Sequence, residues 1–96
     1  MMSREVHVVK EYLYKKYGCR CEVCKRAFSR NELTGHHIIM KCVGGMATKT
    51  NILIACHHCH FTVINNIPYN TEEYWRLMHK SLEHRNPEDI GFFPYS

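Results

Sequence analysis

Asn51-Ile52-Leu53-Ile54-Ala55-Cys56-His57-His58-Cys59-His60 is the stretch whose reading decides the fold. Ile52, Leu53 and Ile54 make a short apolar run that fits a strand returning through a core. A helix is expected to start near Cys56 or His57 and to run to about Asn65, ahead of Pro68. The pair Cys56-x-x-Cys59 then offers two thiolates from the first turn of that helix. Its counterpart is Cys21-x-x-Cys24, where two thiolates can grip one tetrahedral ion only if the chain turns back between them. Two such grips joined through a hairpin describe a closed four-cysteine site for a structural zinc. Cys19 and Cys42 fall outside this pattern and read as ordinary free thiols. A rival ligand set would pair Cys56 with His60 and release Cys59.

Between the two Cys pairs, residues 33–40 read as a strand, with β-branched Ile38 and Ile39 at its end. Gly44-Gly45 is a strong turn signal and opens a loop running to about Asn51. Adjacent residues on a strand point to opposite faces, so His36 and His37 cannot serve one purpose. One can bind a metal while the other reaches past it toward a substrate. His60 follows Cys59 by one residue, about 100° further round a helix. It can therefore face the hairpin while the cysteines face the zinc. His36 with His60 makes a candidate open metal site, beside which His37 and Asn51 could do chemistry. His57 and His58 read as surface or supporting positions.

Outside this core, Val6, Val9, Leu13 and Tyr17 recur at helical spacing from about Ser3 to Tyr17, with Ser3 as N-cap and Gly18 as stop. A last helix is predicted from Glu72 to about Arg85. Thr71 caps it, Glu72 and Glu73 suit its positive end, and Tyr74, Leu77, Met78 and Leu82 form a core-packing stripe. The aromatic tail from Gly91 to Tyr95 is expected either to pack back on the domain or to meet a partner.

Ninety-six residues make one small domain, spanning 1–96, with a core at about 19–66 and flanking helices at about 3–17 and 72–85. So short a chain buries little apolar surface and needs a staple, which its six cysteines can supply. Paired C-x-x-C knuckles without a secretory-type N-terminus favour thiolate–zinc over disulfides and an intracellular, cytoplasmic protein. The interleaving of Val6, Val8 and Val9 with Glu5, His7, Lys10 and Glu11 excludes a membrane span there. Thirteen Lys and Arg against nine Asp and Glu give a net charge of +4, compatible with a polyanionic partner. Lys10, Lys15, Lys16, Arg20, Lys25, Arg26 and Arg30 crowd around the first Cys pair, and Lys25, Arg26 and Arg30 are the candidate phosphate contacts.

Cys21-x-x-Cys24, Gly35-His36-His37-Ile38-Ile39, Gly44-Gly45, Asn51-Ile52-Leu53 and Cys56-x-x-Cys59-His60 together resemble the zinc-bearing branch of the HNH endonucleases, over about residues 19–62. The resemblance implies an α+β, ββα-metal (treble-clef-like) domain with a structural zinc and metal-dependent hydrolysis of DNA phosphodiesters to 5′-phosphate and 3′-hydroxyl ends. It implies His36 and His60 as ligands of a catalytic divalent ion and His37 as general base. Asn51 would constrain the loop that aims His37, or touch the metal as in some relatives. Many relatives carry Asp where this chain has His36, and Pro where it has Met40. Two imidazoles soften the site and widen its tolerance from Mg²⁺ toward Mn²⁺, Ni²⁺, Co²⁺ and Zn²⁺. No residue outside the core looks like a reading head, so specificity is either low or supplied by a partner protein. One site implies nicking, and a double-strand break needs a homodimer or two events. Restriction, phage packaging and mobile-element roles all use such a core. The competing readings are a non-catalytic treble-clef zinc module that binds nucleic acid or protein, and a zinc-dependent adaptor docking through its aromatic tail.

Overall fold

A computed structural model describes residues 4–91 and 93. Helix α1 spans Arg4–Tyr17, strand β1 Leu33–His37, strand β2 Ile52–Cys56 and helix α2 Glu72–Ser81, in an α+β arrangement. Short helical turns fill the connections, including a wide one at Cys59–Val63. The strands form a two-stranded antiparallel sheet that pairs Leu33 with Cys56, His36 with Leu53 and His37 with Ile52. Every residue of β2 is buried, as its continuous apolar run requires.

Helix α1 buries Val6, Leu13 and Tyr14 and ends where Gly18 takes φ +87°, its N–H bonding back to the Tyr14 carbonyl. The expected N-cap, Ser3, lies outside the described residues. The helix packs close to the hairpin because Gly35 presents no side chain. A Cβ there would stand 3.0 Å from Val6 Cγ1 and 3.2 Å from Ile52 Cγ2.

Strand β1 stops at His37, short of the expected Met40. From Ile38 onward the chain bonds to Asn51 instead of extending the ladder. The loop is tight enough that a Cβ on Gly45 would fall 1.7 Å from the Ile39 carbonyl oxygen. Cys56 ends β2 rather than opening a helix, and the helical segment that follows is wound with an N–H of Ile64 reaching the Cys59 carbonyl five residues back.

Helix α2 starts as expected, with the Thr71 side chain accepting from the Tyr74 N–H, and buries Tyr74, Trp75 and Met78. It ends at Ser81 rather than Arg85. Arg85 leaves the helix because its guanidinium is buried in a second task. It donates to both carboxylate oxygens of Glu22, at 2.7 and 2.5 Å, and to the carbonyls of Lys49, Ile52 and Asp89. Glu22 in turn accepts from the Ile54 N–H at 2.8 Å. One bidentate pair thus ties the first Cys knuckle, β2 and the C-terminal segment together. Asp89, fully buried, is held by Tyr12, Tyr17, Lys16 and Lys49, anchoring the same segment to α1. Of the aromatic tail, Phe93 packs back, stacked on Trp75 with ring centres 5.5 Å apart, while Phe92, Pro94 and Tyr95 lie outside the described residues. Among the described residues no helix is long and apolar enough to cross a membrane.

Candidate metal centres and active site

The two Cys pairs meet. The sulfurs of Cys21, Cys24, Cys56 and Cys59 all lie within 4.8 Å of one another. Tetrahedral zinc with Zn–S near 2.3 Å puts its sulfurs about 3.8 Å apart, so the cluster fits a four-cysteine zinc. Each knuckle is shaped by its own backbone, with the Cys24 N–H on Cys21 Sγ at 3.4 Å and the Cys59 N–H on Cys56 Sγ at 3.5 Å. Burial works against the Cys21 thiolate, but backbone N–H groups around it pull its pKa down. Burial first, then the neighbouring thiols, pushes Cys59 up, and burial raises Cys24. Four thiolates can share so small a volume only around a cation. Cys19 and Cys42 stand outside the cluster. Cys59, which the rival ligand set would have released, lies inside it, while His60 turns elsewhere.

His36 and His60 come together on the other side of the hairpin, ring centres 5.1 Å apart and nearly perpendicular. Two imidazoles that ligate one ion at about 2.1 Å have ring centres no more than about 6.5 Å apart, so the pair fits a shared divalent ion. His36 Nε2 lies 2.8 Å from the Tyr74 hydroxyl, and His60 Nδ1 lies 2.7 Å from Thr34 Oγ1. Phe61, itself exposed, stacks on His60 at 4.4 Å. Burial, helped by the charges of His60 and His37, holds the His36 pKa down at about 4. Burial also lowers His60, with His57 adding to it. Both rings are therefore neutral near pH 7, the form that binds a metal.

His37, next on the strand, leaves by the opposite face. Burial and then the positive charge of Lys41 lower its pKa, favouring the neutral ring that can accept a proton. Asn51 is buried and spans the loop. Its Oδ1 accepts from the Ile39 N–H at 2.8 Å, and its Nδ2 donates to the carbonyls of Ile39 and Met46 at 3.1 and 2.9 Å. These three bonds fix the chain immediately after His37.

The basic run does not act as one surface. The Lys10 ammonium is buried against the Leu33 carbonyl, and the Lys25 ammonium donates to the Ser81 carbonyl at the end of α2. Lys16 is tied to Glu88 and Asp89. Arg26 is exposed over the Phe28 ring, and Arg30, over half exposed, pairs with Glu11 at 3.1 Å. His57 and His58 are exposed, as expected. Sequence reasoning missed Thr34, Tyr74 and Lys41 near the site. Tyr74 carried only a core-packing signal, and neither Thr34 nor Lys41 carried any.

Hairpin, helical turn, cysteine cluster and paired imidazoles define a small α+β domain with a cysteine cluster that fits a zinc site. Residues 21–65, which hold both Cys pairs, the His pair, Asn51 and His60, match the family HNH endonuclease. No curated protein and no solved structure matches the chain.

Proposed function

We propose that the chain is a metal-dependent endonuclease that hydrolyses DNA phosphodiester bonds, working as a single domain over residues 1–96. The observation that carries this reading is the neutral His36–His60 pair set beside a His37 whose following loop is clamped by Asn51. A silent zinc module needs the four cysteines and has no use for that second set.

His36 and His60 would hold a divalent cation, which when bound neutralises the phosphate and stabilises the leaving oxygen. His37 accepts a proton from water, a role that typically contributes about 10²–10⁴-fold. The resulting hydroxide attacks phosphorus, the P–O3′ bond breaks, and the 3′ oxygen takes a proton from solvent. The products carry 5′-phosphate and 3′-hydroxyl ends. Asn51 keeps the loop after His37 in place. Arg26, Arg30 and Lys41 supply positive charge toward the DNA backbone, and a reducing compartment would keep the four thiols available for zinc.

The test separates base from ligands. His37→Ala should remove nearly all plasmid nicking while Mn²⁺ affinity stays close to wild type. His36→Ala and His60→Ala should weaken Mn²⁺ binding, with activity partly restored by added Mn²⁺. If His37→Ala loses the metal while His36→Ala keeps metal and activity, the roles are reversed. If the wild-type protein shows no EDTA-sensitive nicking, the nuclease reading fails.

A further inference from the structure

Tyr74 lies outside the matched segment 21–65, on α2, yet its hydroxyl reaches the paired imidazoles. A phenol carries one hydrogen. The Tyr74 oxygen sits 2.6 Å from the Ile38 carbonyl oxygen, an atom that only accepts, so the hydrogen goes there. The contact between the same hydroxyl and His36 Nε2 must then take its hydrogen from the ring. His36 is the Nε2–H tautomer, with its lone pair on Nδ1. The same logic holds at the second ring. Thr34 Oγ1 donates its one hydrogen to the Ala55 carbonyl at 2.8 Å, so its contact with His60 is donated by the imidazole Nδ1–H. His60 is the opposite tautomer, with its lone pair on Nε2.

We propose that Tyr74 and Thr34 are positioning residues that fix opposite tautomers on His36 and His60, so that one divalent ion meets Nδ1 of the first ring and Nε2 of the second. The proposal rests on the reading of these two histidines as metal ligands. Its physical content is pre-organisation. A free neutral imidazole exchanges its proton between nitrogens, and a ring that holds the proton on the inward nitrogen cannot bind the ion until it shifts or flips. A hydroxyl that can only accept removes that alternative, as other groups behind metal-binding imidazoles do. The hairpin supplies one such hydroxyl and α2 the other, so the C-terminal helix completes a site whose ligands all come from the matched segment.

The experiment is a long-range ¹H–¹⁵N correlation spectrum of zinc-loaded, histidine-labelled protein near pH 7.5 without other metals, followed by Mn²⁺ titration calorimetry. Manganese is chosen because it prefers nitrogen and oxygen ligands and leaves the thiolate zinc in place. The wild type should show His36 protonated on Nε2 and His60 on Nδ1. Thr34→Val should move the His60 proton to Nε2 and weaken Mn²⁺ binding about 10–100-fold. Thr34→Ser, which restores the hydroxyl, should return both toward wild type. Tyr74→Phe should weaken Mn²⁺ binding by a similar factor with His60 unchanged. A wild-type spectrum with either tautomer reversed overturns the proposal, and needs no variant to fold. So does a Thr34→Val protein with a shifted tautomer and wild-type Mn²⁺ affinity. The expected tautomers and Mn²⁺ binding in a protein that never nicks DNA would leave this proposal standing while the nuclease reading falls. Nicking by a protein with reversed tautomers would do the opposite.

Discussion

Asn51→Asp is the substitution that best separates a loop clamp from a metal ligand. The two side chains have the same shape, so the change is one of hydrogen-bonding sense and charge. Aspartate keeps an oxygen for the Ile39 N–H but replaces the amide donor that serves two carbonyls, those of Ile39 and Met46 at 3.1 and 2.9 Å. Two buried acceptors lose their partner, at about 1–3 kcal/mol each, and a carboxylate now faces them. The loss should reach at least about 3 kcal/mol, or roughly 12–24 °C in Tm for a domain of this size. Asn51→Ala removes all three bonds, the acceptor for the Ile39 N–H included, without adding charge, and should also melt well below wild type. Circular-dichroism melting at fixed excess zinc measures the stability order, and plasmid nicking on the same samples measures the consequence for His37. Nicking should drop sharply in both variants even at temperatures where they remain folded. An aspartate at a metal-binding position would instead hold the ion as well or better. An Asn51→Asp protein within about 4 °C of wild type, with undiminished nicking, would therefore refute the clamp and favour direct ligation.

Three further outcomes follow from the same geometry. The purified protein should carry one tightly held zinc, and both chelation and Cys24→Ser should unfold it, because a structural zinc contributes about 10–16 kcal/mol against a net stability of about 5–15 kcal/mol; a metal-free protein with a folded circular-dichroism spectrum would contradict this. Arg85→Met should cost about 3–5 kcal/mol in urea denaturation because it strands the buried Glu22 carboxylate, whose ion-pair neighbour among the described residues would then be the His84 ring at 3.0 Å, which burial keeps from holding a proton; a loss under about 1 kcal/mol would show that Glu22 finds another cation. In zinc-loaded protein without a second metal, His36 holds its proton less well folded, at about 4, than at its ordinary 6.5. The unfolded chain therefore binds more protons across that window, and stability should fall as pH drops from about 6.5 to 4. His36→Gln should flatten that slope, and an unchanged slope would mean another group is responsible.

Much of the fold was legible in the sequence because its signals are local. A thiolate knuckle, the Thr71 cap and the Gly18 stop each depend on residues a few positions apart, so their geometry is set before the chain folds. The opposite faces of His36 and His37 follow from strand alternation alone, and the closing of the four-cysteine cluster needed only a hairpin between two knuckles. Helix and strand ends were read less well. A helix start near Cys56 or His57 leaves the boundary open, and the fold sets it at His57 because Cys56 completes a ladder with Leu33, while Arg85 is drawn out of the expected last helix by a carboxylate at position 22.

Only the tertiary structure decided what the long polar side chains do. Lys10 and Lys25 look like surface cations in the sequence, yet each turns its ammonium onto a backbone carbonyl that arrives from a distant segment. Tyr74 reads as one more core residue of a helical stripe, and it is one, but its hydroxyl extends beyond the apolar contact to meet His36 and the Ile38 carbonyl. The sequence by itself determined which residues could bind metal, since ligand chemistry and spacing are properties of the chain. Which nitrogen of each imidazole is left bare was set by the fold, because a tautomer depends on the partner across the space that folding closes.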